Sequence, residues 1–274
     1  MKKFTFVLFL ILMFGFEVQA QKEKNVIEIN IPRWRVGVEA GVDVPFGSVN
    51  KPSQIRENRS YYPNNDYDYY CGLVLDRTLS HVFYFGAKAE YMLHKRWTVT
   101  SGLRLSINKS TLTSDRDYFL WKIEETETSA NYIKIKNLSQ SNYYLGLPIE
   151  FKFFPRQKDY SVRQYFIFGT SFNLLASSNN NIDFDNERME KYSTDIKAQM
   201  GTPNVFFSTI YAGVGLKFGK MNHPFGSIEV IAPMIRISGN SKSFVNMEPV
   251  GFSFRTILQI PVAKKKLLTY SVKQ

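Results

Sequence analysis

The chain has 274 residues, a net charge of +11, a single cysteine, and 23 Phe, 16 Tyr and 3 Trp. One cysteine excludes an intramolecular disulfide framework. After residue 20 no stretch approaches the ~18 consecutive apolar residues of a membrane-spanning helix.

Residues 1–20, MKKFTFVLFLILMFGFEVQA, open with Lys2 and Lys3, continue through an apolar run from Phe4 to Phe16, and end on Val18-Gln19-Ala20. A positive start, a short apolar core and a small-residue cleavage pattern read as a secretory signal peptide rather than a buried N-terminal helix or an anchor. Cys71 lies far from the cleavage point, so no lipoprotein anchor is implied. Cleavage removes Lys2, Lys3 and Glu17 and takes the charge from +11 to +10. Export excludes nucleic acid as the partner of this basic chain and makes anionic lipid the expected counter-charge. The mature part, roughly 250 residues, is the size of one large domain or two small ones.

Eight runs of period-two alternation follow. In the first, Trp34, Val36, Val38, Ala40, Val42 and Val44 share one face, while Arg35, Gly37, Glu39, Gly41 and Asp43 share the other. The second places Phe83, Phe85, Ala87, Ala89 and Tyr91 opposite Tyr84, Gly86, Lys88 and Glu90. The third sets Trp97, Val99, Leu103 and Leu105 against Gly102 and Arg104. In the fourth, Tyr143, Leu145, Leu147, Ile149, Phe151 and Phe153 oppose Gly146, Pro148, Glu150 and Lys152. The fifth, 164–175, carries Phe166, Phe168, Phe172 and Leu174 on its apolar side. The sixth opposes Phe206, Val214, Leu216 and Phe218 to Tyr211, Gly213, Gly215 and Lys217. The seventh, 225–237, changes phase near Ala232-Pro233, which predicts a bulge. Pro148 predicts a second irregularity. The eighth opposes Phe252, Phe254, Leu258 and Ile260 to Gly251, Ser253, Arg255 and Gln259.

The connections span 47–80, 93–96, 108–142, 154–163, 176–204, 219–224 and 238–248, long and short in strict alternation. Transmembrane barrels have short periplasmic turns and longer extracellular loops. The fold class expected is therefore all-β: an up-and-down antiparallel transmembrane β-barrel of eight strands in the outer membrane. The expected division is a signal peptide at 1–20, a short periplasmic segment at 21–32, the barrel at 33–261 and a basic periplasmic tail at 262–274.

A soluble β-fold with its apolar faces inward would alternate in the same way. Three features favour lipid. Glycines gather on the charged face, where they make room in a narrow interior. Trp34, Tyr91, Trp97, Phe153, Phe166 and Phe218 all fall at the predicted periplasmic rim, where an aromatic girdle belongs. The long connections, such as 58–70 and 177–195, read as polar, without apolar content to cap a soluble core.

The stretch YYLGLPIEFKFFP, then a basic turn, then QYFIFGTSFNLL, resembles the outer-membrane β-barrel family common in Bacteroidetes, often labelled PorT-like, with OmpA-like eight-stranded barrels as its architecture. The matching positions are Tyr144, Leu145, Leu147, Pro148, Ile149, Lys152, Phe153, Phe154, Phe168 and Gly169. The resemblance implies fold and location. The family's namesake is linked to protein secretion, and the resemblance transfers no active site.

The lumen polar network expected from the charged faces is Arg35, Glu39, Asp43, Lys88, Glu90, Arg104, Glu150, Lys152, Lys217 and Arg255. Eight strands leave an interior that side chains can fill, so these charges read first as a paired plug and second as a narrow solute path. The loop RSYYPNNDYDYY offers Tyr61, Tyr62, Tyr67, Tyr69 and Tyr70 for recognition at the cell surface, with a flexible loop packed on lipopolysaccharide as the alternative. His81 adjoins Ser80, but neighbouring strand residues point to opposite faces; a solvated or girdle histidine is the simpler reading. His94 and His223 fall in short turns. Asp183, Asp185, Glu187 and Glu190 lack calcium-loop spacing and read as a solvated loop. No catalytic residue, metal site or cofactor is expected. The partners expected are outer-membrane lipid, lipopolysaccharide and a surface ligand or envelope protein. A non-enzymatic barrel for surface binding or envelope and secretion support leads; a narrow pore for small solutes comes second, and a barrel enzyme acting on lipid or peptide third.

Overall fold

The computed structural model describes residues 33–45, 52, 54–56, 77–113, 118–126, 129–155, 161–220, 223–238 and 251–262. The readings placed on residues 1–32, on the tyrosine loop 59–70 and on Cys71 lie outside them.

The strands are β1 (Trp34–Pro45), β2 (Ile55–Arg56), β3 (Arg77–His94), β4 (Trp97–Thr113), β5 (Phe119–Thr126), β6 (Ser129–Phe153), β7 (Val162–Phe184), β8 (Phe206–Phe218), β9 (Phe225–Ser238) and β10 (Gly251–Val262). A 3-10 turn at Glu187–Tyr192 leads into one short helix, α1 (Ser193–Gln199). Eight strands close a ring in the order β1, β3, β4, β6, β7, β8, β9, β10 and back to β1, every pairing antiparallel. The seam between first and last strands runs from Trp34↔Val262 to Pro45↔Gly251. Closure pairs the backbone groups that an open sheet edge would leave in hydrocarbon at several kcal/mol each.

All eight alternating runs fall within ring strands, and burial shows which way they face. Val38 is 57% exposed and Phe85 54%, whereas Arg35 and Glu150 are fully buried. Apolar outside and charged inside inverts a soluble core and matches a barrel dissolved in lipid.

A bulge lies beside the expected phase change: Ile210 pairs Ile235 and Tyr211 pairs Pro233, leaving Met234 extra on β9. Pro148 causes no register shift. It pairs Ser171 on β7, and the ladder to β4 lapses between Arg104↔Gly146 and Ser101↔Ile149. A proline without an N–H breaks the ladder on one side only.

The glycines of the charged face have a specific use. Tyr84 pairs Gly41, Tyr165 pairs Gly215 and Tyr211 pairs Gly169 in register. A Cβ on those glycines would meet the partner ring at 2.5, 2.4 and 2.9 Å respectively. Each tyrosine lies across its bare neighbour and carries its hydroxyl into the barrel.

One expectation fails. The connections between β4 and β6 and between β7 and β8 are not polar loops. At about 3.3 Å per residue, the 25 residues of β6 and 23 of β7 far exceed the ~9–11 that cross a membrane. Their extensions, with β5, β2 and α1, build a second core from Leu112, Phe119, Trp121, Ile133, Ile135, Leu138 and Ile196, with Ile182 and Phe184 against it. Leu112, Leu138 and Ile182 pair across three strands. A bulge leaves Lys136 extra on β6. It shifts the phase so that Ile133 and Ile135 join even-numbered Leu138 inside, as bulges re-aim side chains. The Trp121 indole N–H donates to Gln199 Oε1 on α1 at 2.9 Å. Beyond the apolar belt, then, the chain reverts to a soluble protein's pattern, apolar within. This cap rises from the end that carries the long connections.

Candidate functional site

The candidate site is the charged interior of the barrel. Each ring strand sends a polar side chain inward: Glu39 from β1, Lys88 from β3, Arg104 from β4, Glu150 from β6, Tyr165 from β7, Tyr211 from β8, Glu229 from β9 and Arg255 from β10. An isolated buried charge costs many kcal/mol, so such groups persist only when paired and hydrogen-bonded.

The middle tier meets that condition. Glu39 accepts from Arg104 Nε at 2.8 Å and Nη2 at 3.0 Å, a bidentate fork, and from Lys88 Nζ at 3.0 Å. Glu150 accepts from Lys88 Nζ at 2.7 Å and from the Tyr211 hydroxyl at 2.8 Å. Glu229 accepts from Lys152 Nζ at 2.7 Å and from the Tyr165 hydroxyl at 2.6 Å. Arg255 ties the three together: its Nη1 reaches Glu150 at 2.5 Å and Glu39 at 3.3 Å, and its other nitrogens bind Glu229. One guanidinium thus spans carboxylates from β1, β6 and β9. Arginine's planar fork of donors suits that role better than a lysine point charge.

Toward the short-turn end lies a lower tier. Arg35 Nη1 donates to Glu90 at 2.6 Å, Lys217 Nζ stands 3.8 Å from the same carboxylate, and Lys152 reaches it at 4.0 Å. Phe154, Phe225 and Tyr165 line this level, with Lys217 Nζ 3.4 Å from the Phe225 ring centre and Arg163 4.9 Å from that of Phe154. Above the middle tier, half-buried Asp43 pairs Ser253 in register, and the Tyr84 hydroxyl hydrogen-bonds Ser253 Oγ at 2.7 Å.

All ten sequence-derived lumen residues therefore point into the barrel, nine of them joined by ion pairs and Asp43 above them. Sequence reasoning missed Glu229, Arg163 and the three inward tyrosines as network members. Glu229 was hidden by the phase change of its run, although Ser227, Glu229 and Ile231 alternate with outward Ile228. Arg163 stands one position before the fifth run begins.

The six aromatic rim residues cluster at the short-turn end. Trp34 pairs Tyr91 with ring centres 4.7 Å apart, and Trp97 packs on Phe153 at 4.6 Å, with Phe166 next in register. Phe218 ends β8 at the same level, opposite Val162. His81 lies against the Phe83 ring, centres 5.0 Å apart. His94, the last residue of β3, and His223, in the short turn before β9, are both exposed. Asp185 forms an exposed pair with Lys136 at 3.5 Å.

A closed antiparallel ring with an apolar exterior and a charged interior defines a transmembrane β-barrel. The profile of the outer membrane protein beta-barrel domain family matches residues 19–230, and the chain belongs to that family. Its place is accordingly the outer membrane. Among solved structures it is similar to the outer membrane protein OprG from Pseudomonas aeruginosa, at 8% identity and a TM-score of 0.46 over 85% of this chain and 97% of that one. It is also similar to the N-terminal β-barrel domain of Pseudomonas aeruginosa OprF, at 8% identity and a TM-score of 0.29 over 82% and 97%. No curated protein matches the chain.

Proposed function

We propose that the protein is a non-enzymatic barrel whose lumen is closed by its own ion network and whose work is done by the surface it presents outside the cell. The observation that carries this reading is Arg255, fully enclosed and bridging Glu39, Glu150 and Glu229 from three sides of the ring. Ions crossing at this level would have to displace charge-assisted hydrogen bonds held where little water competes with them. By the loop-length rule of outer-membrane barrels, the cap on β5, β6, β7 and α1 faces outward. With the tyrosine-rich segment 59–70 it supplies the binding surface for a ligand or envelope protein at a lipopolysaccharide-covered face.

The same reading takes residues 1–20 as the cleaved export signal and places the chain among PorT-like barrels of Bacteroidetes, with support of secretion as the form envelope work would take. The narrow pore is the competing reading, and the cation-rich lower tier would make such a pore favour anions. Swelling of proteoliposomes in an arabinose solution separates the two. The closed barrel swells them no faster than protein-free vesicles; a rate that scales with protein content establishes the pore.

A further inference from the structure

We infer that the short-turn end of the lumen binds a small inorganic anion between Lys217 and Arg35. In the middle tier, Lys88, Arg104, Lys152 and Arg255 face three carboxylates that are each hydrogen-bonded several times over. The lower tier is different: among the described residues Arg35 and Lys217 share one principal carboxylate, Glu90, and Arg163 and Lys217 stand directly opposite each other in the β7–β8 register. Like charges placed opposite across a strand pair repel.

Lys217 is 2% exposed, and its ammonium makes no hydrogen bond among the described residues; Glu90, at 3.8 Å, is beyond hydrogen-bonding reach. Arg35 is fully buried and gives Nη1 to Glu90, while its Nε and Nη2 have no hydrogen-bond partner among the described residues. Both cations lie against the Phe225 ring. A ring face attracts a cation but accepts no full hydrogen bond, so it offsets only part of the desolvation. Buried donors left unmatched are costly. An anion of halide or phosphate size would take the free donors of both residues and balance the local surplus of positive charge. By the same loop rule the cluster lies at the periplasmic end of the lumen, the side from which such an ion would enter.

The test uses the purified, refolded barrel in detergent and reads its thermal midpoint from loss of heat-modifiable gel mobility. Sodium bromide and sodium phosphate are titrated against sodium gluconate at constant ionic strength. The expected result is a saturable rise, about 3–6 °C at ten times the dissociation constant, with bromide or phosphate and not with bulky gluconate. Lys217→Met abolishes the rise. Bromide-soaked crystals of the unaltered protein give an independent readout, an anomalous peak within hydrogen-bond reach of Lys217 Nζ and Arg35 Nη2. Midpoints that follow ionic strength alone overturn the inference, as do crystals without a peak there. A rise that survives Lys217→Met also overturns it, because the ion then binds elsewhere. Occupancy is read at equilibrium, so the result is independent of whether the barrel conducts.

Discussion

Arg255→Met is expected to lower the stability of the folded barrel by about 3–5 kcal/mol, the usual effect of removing one partner from a buried ion cluster. The guanidinium is the shared donor of Glu39, Glu150 and Glu229. Without it, three enclosed carboxylates retain only Lys88, Arg104 and Lys152, whose donors are already engaged with them. Water must then enter to hydrate them, and the variant should conduct ions in bursts. The measurements are the temperature at which heat-modifiable mobility is lost, expected to fall by roughly 10 °C, and current across a planar bilayer. Arg255→Lys should lie between the two, since it keeps the charge and loses the fork. An unchanged midpoint in Arg255→Met would show that the network does not support the barrel.

Trp121→Ala should act on the cap alone. The indole is fully buried among Ile55, Phe119, Ile133 and Ile196 and donates to Gln199. Truncating such a side chain costs about 3–5 kcal/mol, more than a small satellite core can supply. β5 belongs to no ring pairing that closes the barrel. Limited proteolysis should therefore cleave the variant within 118–138 and 185–205 at least tenfold faster than the unaltered chain. The remaining barrel fragment should keep its heat-dependent mobility. If the barrel melts with the cap, the two are one cooperative unit.

The two predictions concern regions of very different legibility. The barrel was readable because lipid imposes one rule along its whole height. Trp34, Val36 and Val38 must face out and Arg35, Gly37 and Glu39 in, and a one-residue slip would reverse every side chain. Ten of the lumen residues followed from that rule alone. What alternation does not give is partnership. Arg255 lies 216 positions from Glu39 and 105 from Glu150, and only ring closure brings them together.

The cap was missed for a physical reason. Above the membrane the rule inverts, and residues 119–123 and 133–138 carry apolar side chains that face inward. Phe119, Trp121 and Ile123 do alternate, and so do Ile133 and Ile135. The bulge at Lys136 breaks their phase with Leu138, so the segment does not continue the pattern of Tyr143–Phe153 below it. Glu229 was lost in the same way, beside the bulge at Met234.

Single-channel recording on the purified, unaltered protein in a planar bilayer of symmetrical potassium chloride tests the closed lumen most directly. The network predicts no stepwise current at physiological voltages, with folding confirmed by mobility on the same sample. Steady, reproducible conductance steps from the unaltered barrel would contradict it and return the charged interior to the role of a solute path.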